Sequence, residues 1–145
     1  AQVKGPTAPA EVWEKIIATV KRDGVVTQDP PFVQHSLTAT IKTDPLTTVH
    51  DISIHLTAGE AAKRKLVGVE ISITENSLIL RSGTILTESW TFLFVRTGRL
   101  DTAVYKKRVD VAGSEPVSDP PVMMDLADAK TKAKLDQMLQ FWSTR

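Results

Sequence analysis

The side chains best able to do chemistry are concentrated at positions 50–55, where His50, Asp51 and His55 occur together. Imidazole and carboxylate groups at close range can ligate a metal ion or exchange protons. However, the stretch alternates apolar and polar residues as a strand does, which places Asp51 and His55 on one face and His50 on the other. Because metal ligands must converge, we interpret these residues as solvent-exposed and predict no metal site.

Motifs for covalent catalysis and for cofactor binding are missing from the sequence. There is no Gly-x-Ser-x-Gly elbow and no Ser-x-x-Lys pair, and the 7 glycines are scattered as turn residues rather than gathered in a phosphate-binding loop. The chain has no cysteine, which excludes a disulfide, a thiolate metal site and a Cys nucleophile. We therefore predict a protein that is not an enzyme, with no catalytic residue and no cofactor.

Basic residues offer a different chemistry, the binding of phosphate groups. Two triplets occur at 63–65 and 106–108, and Lys106 and Arg108 share one face of a predicted strand. With 18 Lys and Arg against 17 Asp and Glu, the net charge of +1 gives no general attraction for nucleic acid, so binding must come from local patches. The alternative is an ordinary solvated surface. The candidate nucleic-acid contacts are Lys42, Lys63, Arg64, Lys65, Lys106 and Arg108.

A helix is predicted at each end of the chain. The first covers about 9–23, since Pro9 suits a first helical turn, the apolar residues that follow recur every three or four positions, and Gly24 ends the pattern. The second covers about 125–142, starting at Asp125.

Strands are predicted between these helices, over about 34–111. Apolar residues alternate with Ser, Thr and charge from Leu37, from Ile52 and from Val67, and Glu75-Asn76-Ser77 is interpreted as a turn into a short strand at 78–81. The strand at 89–96 is apolar on both faces, which is typical of a central strand, and 102–111 is its predicted hairpin partner. These elements predict one α+β domain, residues 1–145, with an antiparallel sheet of about five to six strands.

The three tryptophans are candidate interface residues as well as candidate core residues. Trp13 and Trp142 lie on the apolar stripes of the two helices, which favours the core for both. Trp90 lies in the strand that is apolar on both faces, so core and interface remain open for it.

The sequence contains no apolar stretch near the ~20 residues that cross a bilayer, and its start lacks the basic-then-apolar form of a signal peptide. We therefore expect synthesis in the cytoplasm and no membrane partner.

In outline the chain resembles the coat proteins of single-stranded RNA bacteriophages, on the strands from Leu37 to Val111 and the late helix from Asp125 to Trp142. The resemblance implies a self-assembling homo-oligomer built from dimers, found in the virion, whose antiparallel sheet faces packaged RNA. Unlike this chain, that family usually begins with a strand hairpin and ends with two helices, so the dimer-locking role of its C-terminal helices is not carried over. From the alternation of side chains along the strands we add the hypothesis that Lys42, Lys106 and Arg108 face RNA.

Two other classes of protein remain open. The first is a monomeric binding module with the layout of profilin, in which Trp13 and Trp142 would form a cleft for a proline-rich peptide. The second is a small ligand-binding or enzymatic α+β domain, an alternative that is supported only by the general fold.

Overall fold

The computed structural model of the chain describes residues 5–79 and 82–145. In that part of the chain, two α-helices pack on one face of an eight-stranded antiparallel sheet. The helices are α1 (Ala10–Asp23) and α2 (Ala129–Ser143), and a 3-10 turn at Ala61–Lys63 follows the third strand. The strands are β1 (Val25–Asp29), β2 (Phe32–Thr43), β3 (Leu46–Thr57), β4 (Leu66–Ile79), β5 (Thr84–Val95), β6 (Leu100–Asp110), β7 (Val117–Ser118) and β8 (Val122–Met123).

The sheet is a meander, since each strand from β1 to β7 pairs with the next strand in the sequence, and β8 pairs with β6. The predicted class, an open antiparallel sheet with a helix at each end, is confirmed. The predicted number of five to six strands is wrong, because the described residues form eight. Strands β7 and β8 have two residues each, too few to display the alternation that identifies a strand in a sequence, and β1 begins with two adjacent valines instead of alternating.

The turn predicted at Glu75-Asn76-Ser77 is also wrong, because these residues belong to β4. Asn76 accepts a hydrogen bond from Thr87 of β5 at 2.7 Å, so its polar side chain is satisfied across the strands rather than within a turn. The reversal of the chain comes later, next to Gly83, whose φ of 63° suits glycine. Leu80 and Arg81, predicted to end a short strand, lie outside the described residues.

Helix α1 begins and ends almost where the sequence predicts, with Gly24 following it. Helix α2 begins four residues later than predicted, at Ala129. Its cap is Asp128, whose carboxylate accepts a hydrogen bond from the Lys130 amide at 2.9 Å. The Asp125 carboxylate instead accepts from the Ala127 amide in a separate turn that precedes the helix.

The hydrophobic core lies between the helices and the sheet. Helix α1 packs on β2 and β3, helix α2 packs on β4, and the helices contact each other. The long strands β2 to β6 contribute about every second residue to this face, as the alternating burial along β3 illustrates. The largest fully buried side chains are Trp142, Phe92, Ile16, Ile52, Ile54, Ile71, Ile73, Leu100 and Met138.

Gly98 positions the start of α1 on the turn between β5 and β6. Its φ is 87°, and a Cβ atom there would lie 2.9 Å from the Trp13 ring, so a larger residue is excluded twice over. The Trp13 indole N–H donates to the Arg96 carbonyl at 3.2 Å, and the Ala8 amide donates to the Gly98 carbonyl at 2.9 Å.

In the part of the chain that the structure describes, neither helix has the length and apolar character needed to cross a membrane.

Candidate nucleic-acid interface

The sheet face opposite the helices, called the open face below, is lined largely by hydroxyl groups. It is formed by the strand residues that alternate with the core residues. The hydroxyl-bearing residues of this face include Thr27, Ser36, Thr38, Thr40, Thr47, Ser53, Thr57, Ser72, Thr74, Thr87, Ser89, Thr91 and Thr102.

Many of these hydroxyls are oriented by hydrogen bonds between neighbouring strands. Ser36 and Ser53 are 3.1 Å apart, and the Gln34 amide donates to both. Thr74 and Ser89 are 3.3 Å apart at the centre of the face. A hydroxyl held in this way keeps a second lone pair or its proton for a ligand, because each hydroxyl can both donate and accept.

The structure places Lys42, Lys106 and Arg108 together on the open face, as strand parity predicts. The strand register aligns Lys42, Thr47, Asn76, Thr87 and Arg108 in one row across five strands. With strands ~4.8 Å apart, Lys42 and Arg108 stand at the two ends of a row of about 19 Å. The neighbouring row ends in Lys106, opposite Ser89.

The positive charges of these two rows differ in how far nearby carboxylates offset them. The Arg108 guanidinium pairs with Asp110 at 3.1 Å, which offsets part of its charge. Lys42 and Lys106 are exposed and form no ion pair within residues 5–79 and 82–145. The acidic residues Asp51 and Glu70 lie on the same face but in other rows, so positive charge prevails only at the end of the sheet that carries Lys42.

The basic triplet at 63–65 does not join this patch. Lys63, Arg64 and Lys65 lie in the connection from β3 to β4, at the opposite end of the sheet from Lys42. Lys63 pairs with Glu60 at 3.5 Å, and the Arg64 guanidinium donates to the Gly59 carbonyl at 3.1 Å. Of the six candidate nucleic-acid contacts, Lys63, Arg64 and Lys65 are therefore separated from Lys42, Lys106 and Arg108 by the length of the strands.

All three tryptophans are in the core, which the sequence favours for Trp13 and Trp142 and leaves open for Trp90. The exposed fraction is 7% for Trp13, 7% for Trp90 and 0% for Trp142. Trp13 contacts Phe94, with ring centroids 5.3 Å apart, and Trp90 stacks with Phe92 at 6.3 Å. Because Trp13 and Trp142 present almost no surface, they cannot form the exposed aromatic cleft that the profilin-like alternative requires.

A cavity of about 340 Å³ lies between α2 and the adjoining part of β4 and β5. Its carboxylates are engaged within the chain, since Lys134 pairs with Glu75 at 2.7 Å and the Tyr105 hydroxyl donates to Glu88 at 2.6 Å. Burial and the hydrogen bond to Glu88 raise the pKa of Tyr105 to about 12. Trp90 forms part of the wall. We interpret this cavity as packing space at the edge of α2.

The histidines divide between the faces, as the alternation predicts for Asp51 and His55 against His50. The expectation that His50 is solvent-exposed is wrong, because only 2% of it is accessible. Its ring stacks on Phe141, with centroids 3.8 Å apart, and its Nδ1 has no hydrogen-bond partner among the described residues. His35, which the sequence did not distinguish, is also buried, and both of its nitrogens are unpartnered in the same part of the chain.

Burial lowers the pKa of both buried histidines, since a charged imidazole there would lose its hydration. For His35 the nearby charges of Arg64 and Lys21 lower the pKa further. For His50 the charges of Arg145 and Lys134 also lower the pKa, whereas the carboxylates of Glu75 and Asp51 raise it. Neither histidine is therefore available as a metal ligand or an acid–base group at the surface.

We expect the protein to lose stability as the pH falls below about 6.5, the usual pKa of an unfolded-chain histidine. Between that pH and the lower pKa of the folded state, the unfolded chain binds more protons than the native one, so protons favour unfolding. Above about pH 6.5 this contribution to stability is fully present. Urea unfolding midpoints at about pH 7.5 and about pH 5.5 measure the effect.

The matched variants for this test are His50→Leu and His55→Gln. The first removes one of the two responsible groups and should reduce the loss at low pH, while the second changes the open face and should retain the loss. Equal midpoints for the unsubstituted protein at both pH values would contradict the assignment.

Within residues 5–79 and 82–145, no three His, Asp or Glu side chains converge to hold a metal ion. Comparison with protein-family models, with curated proteins and with solved structures finds no match for this chain.

Proposed function

We propose that this chain is a non-enzymatic structural protein that assembles with copies of itself, in the manner of the coat proteins of single-stranded RNA bacteriophages, and that its open face contacts RNA. The observation that carries the proposal is the contrast between the two faces of one sheet. One face is buried under both helices, whereas the other is a broad helix-free surface of hydroxyls with Lys42, Lys106 and Arg108 at one end.

The open face carries many polar side chains that do not take part in the core, beside exposed apolar residues such as Leu78, Ile85 and Leu93. The core consists of residues from the other face, so Ser and Thr on the open face contribute little apolar burial. Hydroxyls, amides and lysines are the groups that contact phosphates and riboses, and such contacts fix the position of a nucleic acid without reading its sequence. The two separate hydroxyl pairs Ser36–Ser53 and Thr74–Ser89 therefore fit a ligand that is bound over a wide area by many weak contacts.

The modest charge of the chain links RNA contact to self-assembly. Only three cations lie at this end of the open face, spread across five strands, and Asp51 and Glu70 oppose them elsewhere on the face, so one copy should bind RNA weakly and with a shallow salt dependence. When many copies are joined in one shell, their binding sites act together, and avidity exceeds the affinity of each site by orders of magnitude. The proposed assembly thus supplies the affinity for RNA that a single near-neutral chain lacks.

Light scattering on the protein purified from cells tests this function. We expect particles far larger than the 15.9 kDa chain that absorb at 260 nm and lose that absorbance after disruption and nuclease digestion. As a control, the same measurement on protein kept in high salt with nuclease throughout separates protein assembly from RNA-driven assembly. A monomer that carries no nucleic acid in both conditions would contradict the proposal.

A further inference from the structure

The last turn of α2, residues 140–143, packs on the ring of His50 in β3. The imidazole lies parallel to the Phe141 ring, with an interplanar angle of 8° and ring centroids 3.8 Å apart. Trp142 meets the same imidazole edge-on, with centroids 6.5 Å apart. The strand neighbours of His50 are Ala39 and Ile73. A titratable group thus lies in a contact that is made mainly of apolar side chains.

This contact suits the neutral imidazole and not the charged one. An imidazolium carries a proton on both nitrogens, and Nδ1 of His50 is buried without a hydrogen-bond partner among the described residues. A charged ring there would have a buried donor with no acceptor. The carbonyls at the end of α2 are already in use, since Gln140 accepts from the Ser143 and Thr144 hydroxyls and Phe141 accepts from Thr144.

Positive charge at the end of α2 also opposes protonation of His50. The Arg145 guanidinium lies over the Phe141 ring, 4.7 Å from its centroid, and 5.8 Å from the centroid of Trp142. An imidazolium stacked on Phe141 would therefore have a guanidinium at short range in a partly buried place. Lys134 of α2 acts in the same direction. Because Arg145 follows the last turn, its repulsion falls when that turn moves away.

The nearby carboxylates favour a charge on His50, but both are engaged elsewhere. Glu75 of β4 pairs with Lys134 at 2.7 Å, and Asp51 lies on the open face, where it accepts a hydrogen bond from Thr38. Burial is the largest influence on His50, and its pKa lies below that of an exposed histidine. Geometry and charge therefore agree that the closed contact excludes a proton.

We propose that protonation of His50 releases the last turn of α2, so that this end of the helix opens as the pH falls while the strands stay paired. In the open state the imidazolium reaches water, and the Phe141 and Trp142 rings leave an apolar surface accessible beside β3. The strands remain because their pairing does not depend on this turn. The switch requires neither self-assembly nor RNA, so it goes beyond the proposed function.

Proton linkage gives the size of the effect. An exposed histidine has a pKa of about 6.5. If His50 takes up its proton only in the open state, the ratio of open to closed molecules rises about tenfold from about pH 7.5 to about pH 5.5. Trp142 is fully buried in the closed state, so the open state stays a minor one at both pH values.

Hydrogen exchange of backbone amides measures such rare openings along the chain. After correction for the intrinsic effect of pH on exchange, we expect the protection of amides 140–143 to be about tenfold lower at about pH 5.5 than at about pH 7.5. Amides 132–134, near the start of α2, are the internal reference and should keep their protection. An equal loss at 132–134 would mean that the whole helix detaches and would contradict release of the last turn.

Two matched variants assign the effect to one histidine. His50→Leu keeps an apolar side chain under Phe141 and should abolish the tenfold change at 140–143. His35→Leu removes the other buried histidine and should retain the change. Arg145→Gln should make the change smaller than tenfold, because the repulsion that holds the closed imidazole neutral is gone. The proposal is overturned if the unsubstituted protein shows no change, or if His50→Leu shows the same change.

Nuclear magnetic resonance of the His50 ring decides the question even if His50→Leu does not fold. In the unsubstituted native protein, the ring resonances should remain those of neutral imidazole at about pH 5.5, whereas His55 on the open face should already be charged. A native His50 ring that titrates near pH 6.5, like an exposed histidine, would contradict the switch.

Discussion

Replacing Trp142 by alanine is expected to reduce the free energy of unfolding by about 3–5 kcal/mol, which is a large part of the ~5–15 kcal/mol that stabilises a typical domain. Trp142 is fully buried where the end of α2 meets β3, with its ring perpendicular to both Phe141 and His50. Its removal leaves a cavity that the surrounding strands cannot close, because the sheet is held by pairing on both sides of β3.

The conservative variant makes this prediction sharper. The Trp142 indole N–H is buried without a hydrogen-bond partner among the described residues, so the ring contributes apolar burial at the expense of an unsatisfied donor. Trp142→Phe removes the donor and keeps most of the ring, and we expect it to cost on the order of 1 kcal/mol or less. Urea unfolding measures both, with the exposed Gln140→Ala on the same helix as control. Equal losses for the alanine and phenylalanine variants would contradict this account.

Local patterns predicted the elements whose periodicity extends over several residues. The stripe of α1 and its flanking Gly24 gave nearly the correct bounds, and the alternation from Ile52 placed Asp51 and His50 on opposite faces. Burial was predicted less well where it depends on neighbours. His50 is covered because α2 brings Phe141 onto it from ninety residues away, and no local pattern around His50 contains that information.

The errors in the strands have the same origin. Glu75-Asn76-Ser77 has the composition of a turn, but Thr87 and Lys134 satisfy Asn76 and Glu75, and this tertiary pairing overrides the local preference. Strands β7 and β8 consist of two residues each and exist only because β6 offers them an edge.

The candidate site was predicted only in part, because the register and the order of the strands cannot be seen in the local sequence. Parity along β6 places Lys106 and Arg108 on one face, but the row that connects Lys42 to Arg108 depends on the register of four successive strand pairs. Spacing in the sequence also could not reveal that Lys63, Arg64 and Lys65 lie at the other end of the sheet, since that position follows from the order of the strands.

Reversing the charge of both Lys42 and Lys106 is expected to lower the affinity for single-stranded RNA about a hundredfold at low salt. Each Glu removes one phosphate contact and adds repulsion, and a tenfold loss for each corresponds to ~1.4 kcal/mol. The dependence of the binding constant on salt should become shallower by about 0.7 for each contact removed. Both lysines are exposed, so folding should be retained, and unfolding by urea verifies this.

The most direct measurement compares Lys106→Glu with Lys107→Glu. These lysines are adjacent in sequence and both are exposed, but only Lys106 lies on the open face. Lys107 lies on the face that carries the helices, opposite Glu88 in the strand register. Fluorescence anisotropy titration with a labelled RNA oligonucleotide gives the affinity of each variant at the same net charge. If the open face contacts RNA, Lys106→Glu weakens binding about tenfold and Lys107→Glu leaves it nearly unchanged. Equal weakening by both substitutions would mean that binding reflects net charge alone and would contradict the assignment of the open face.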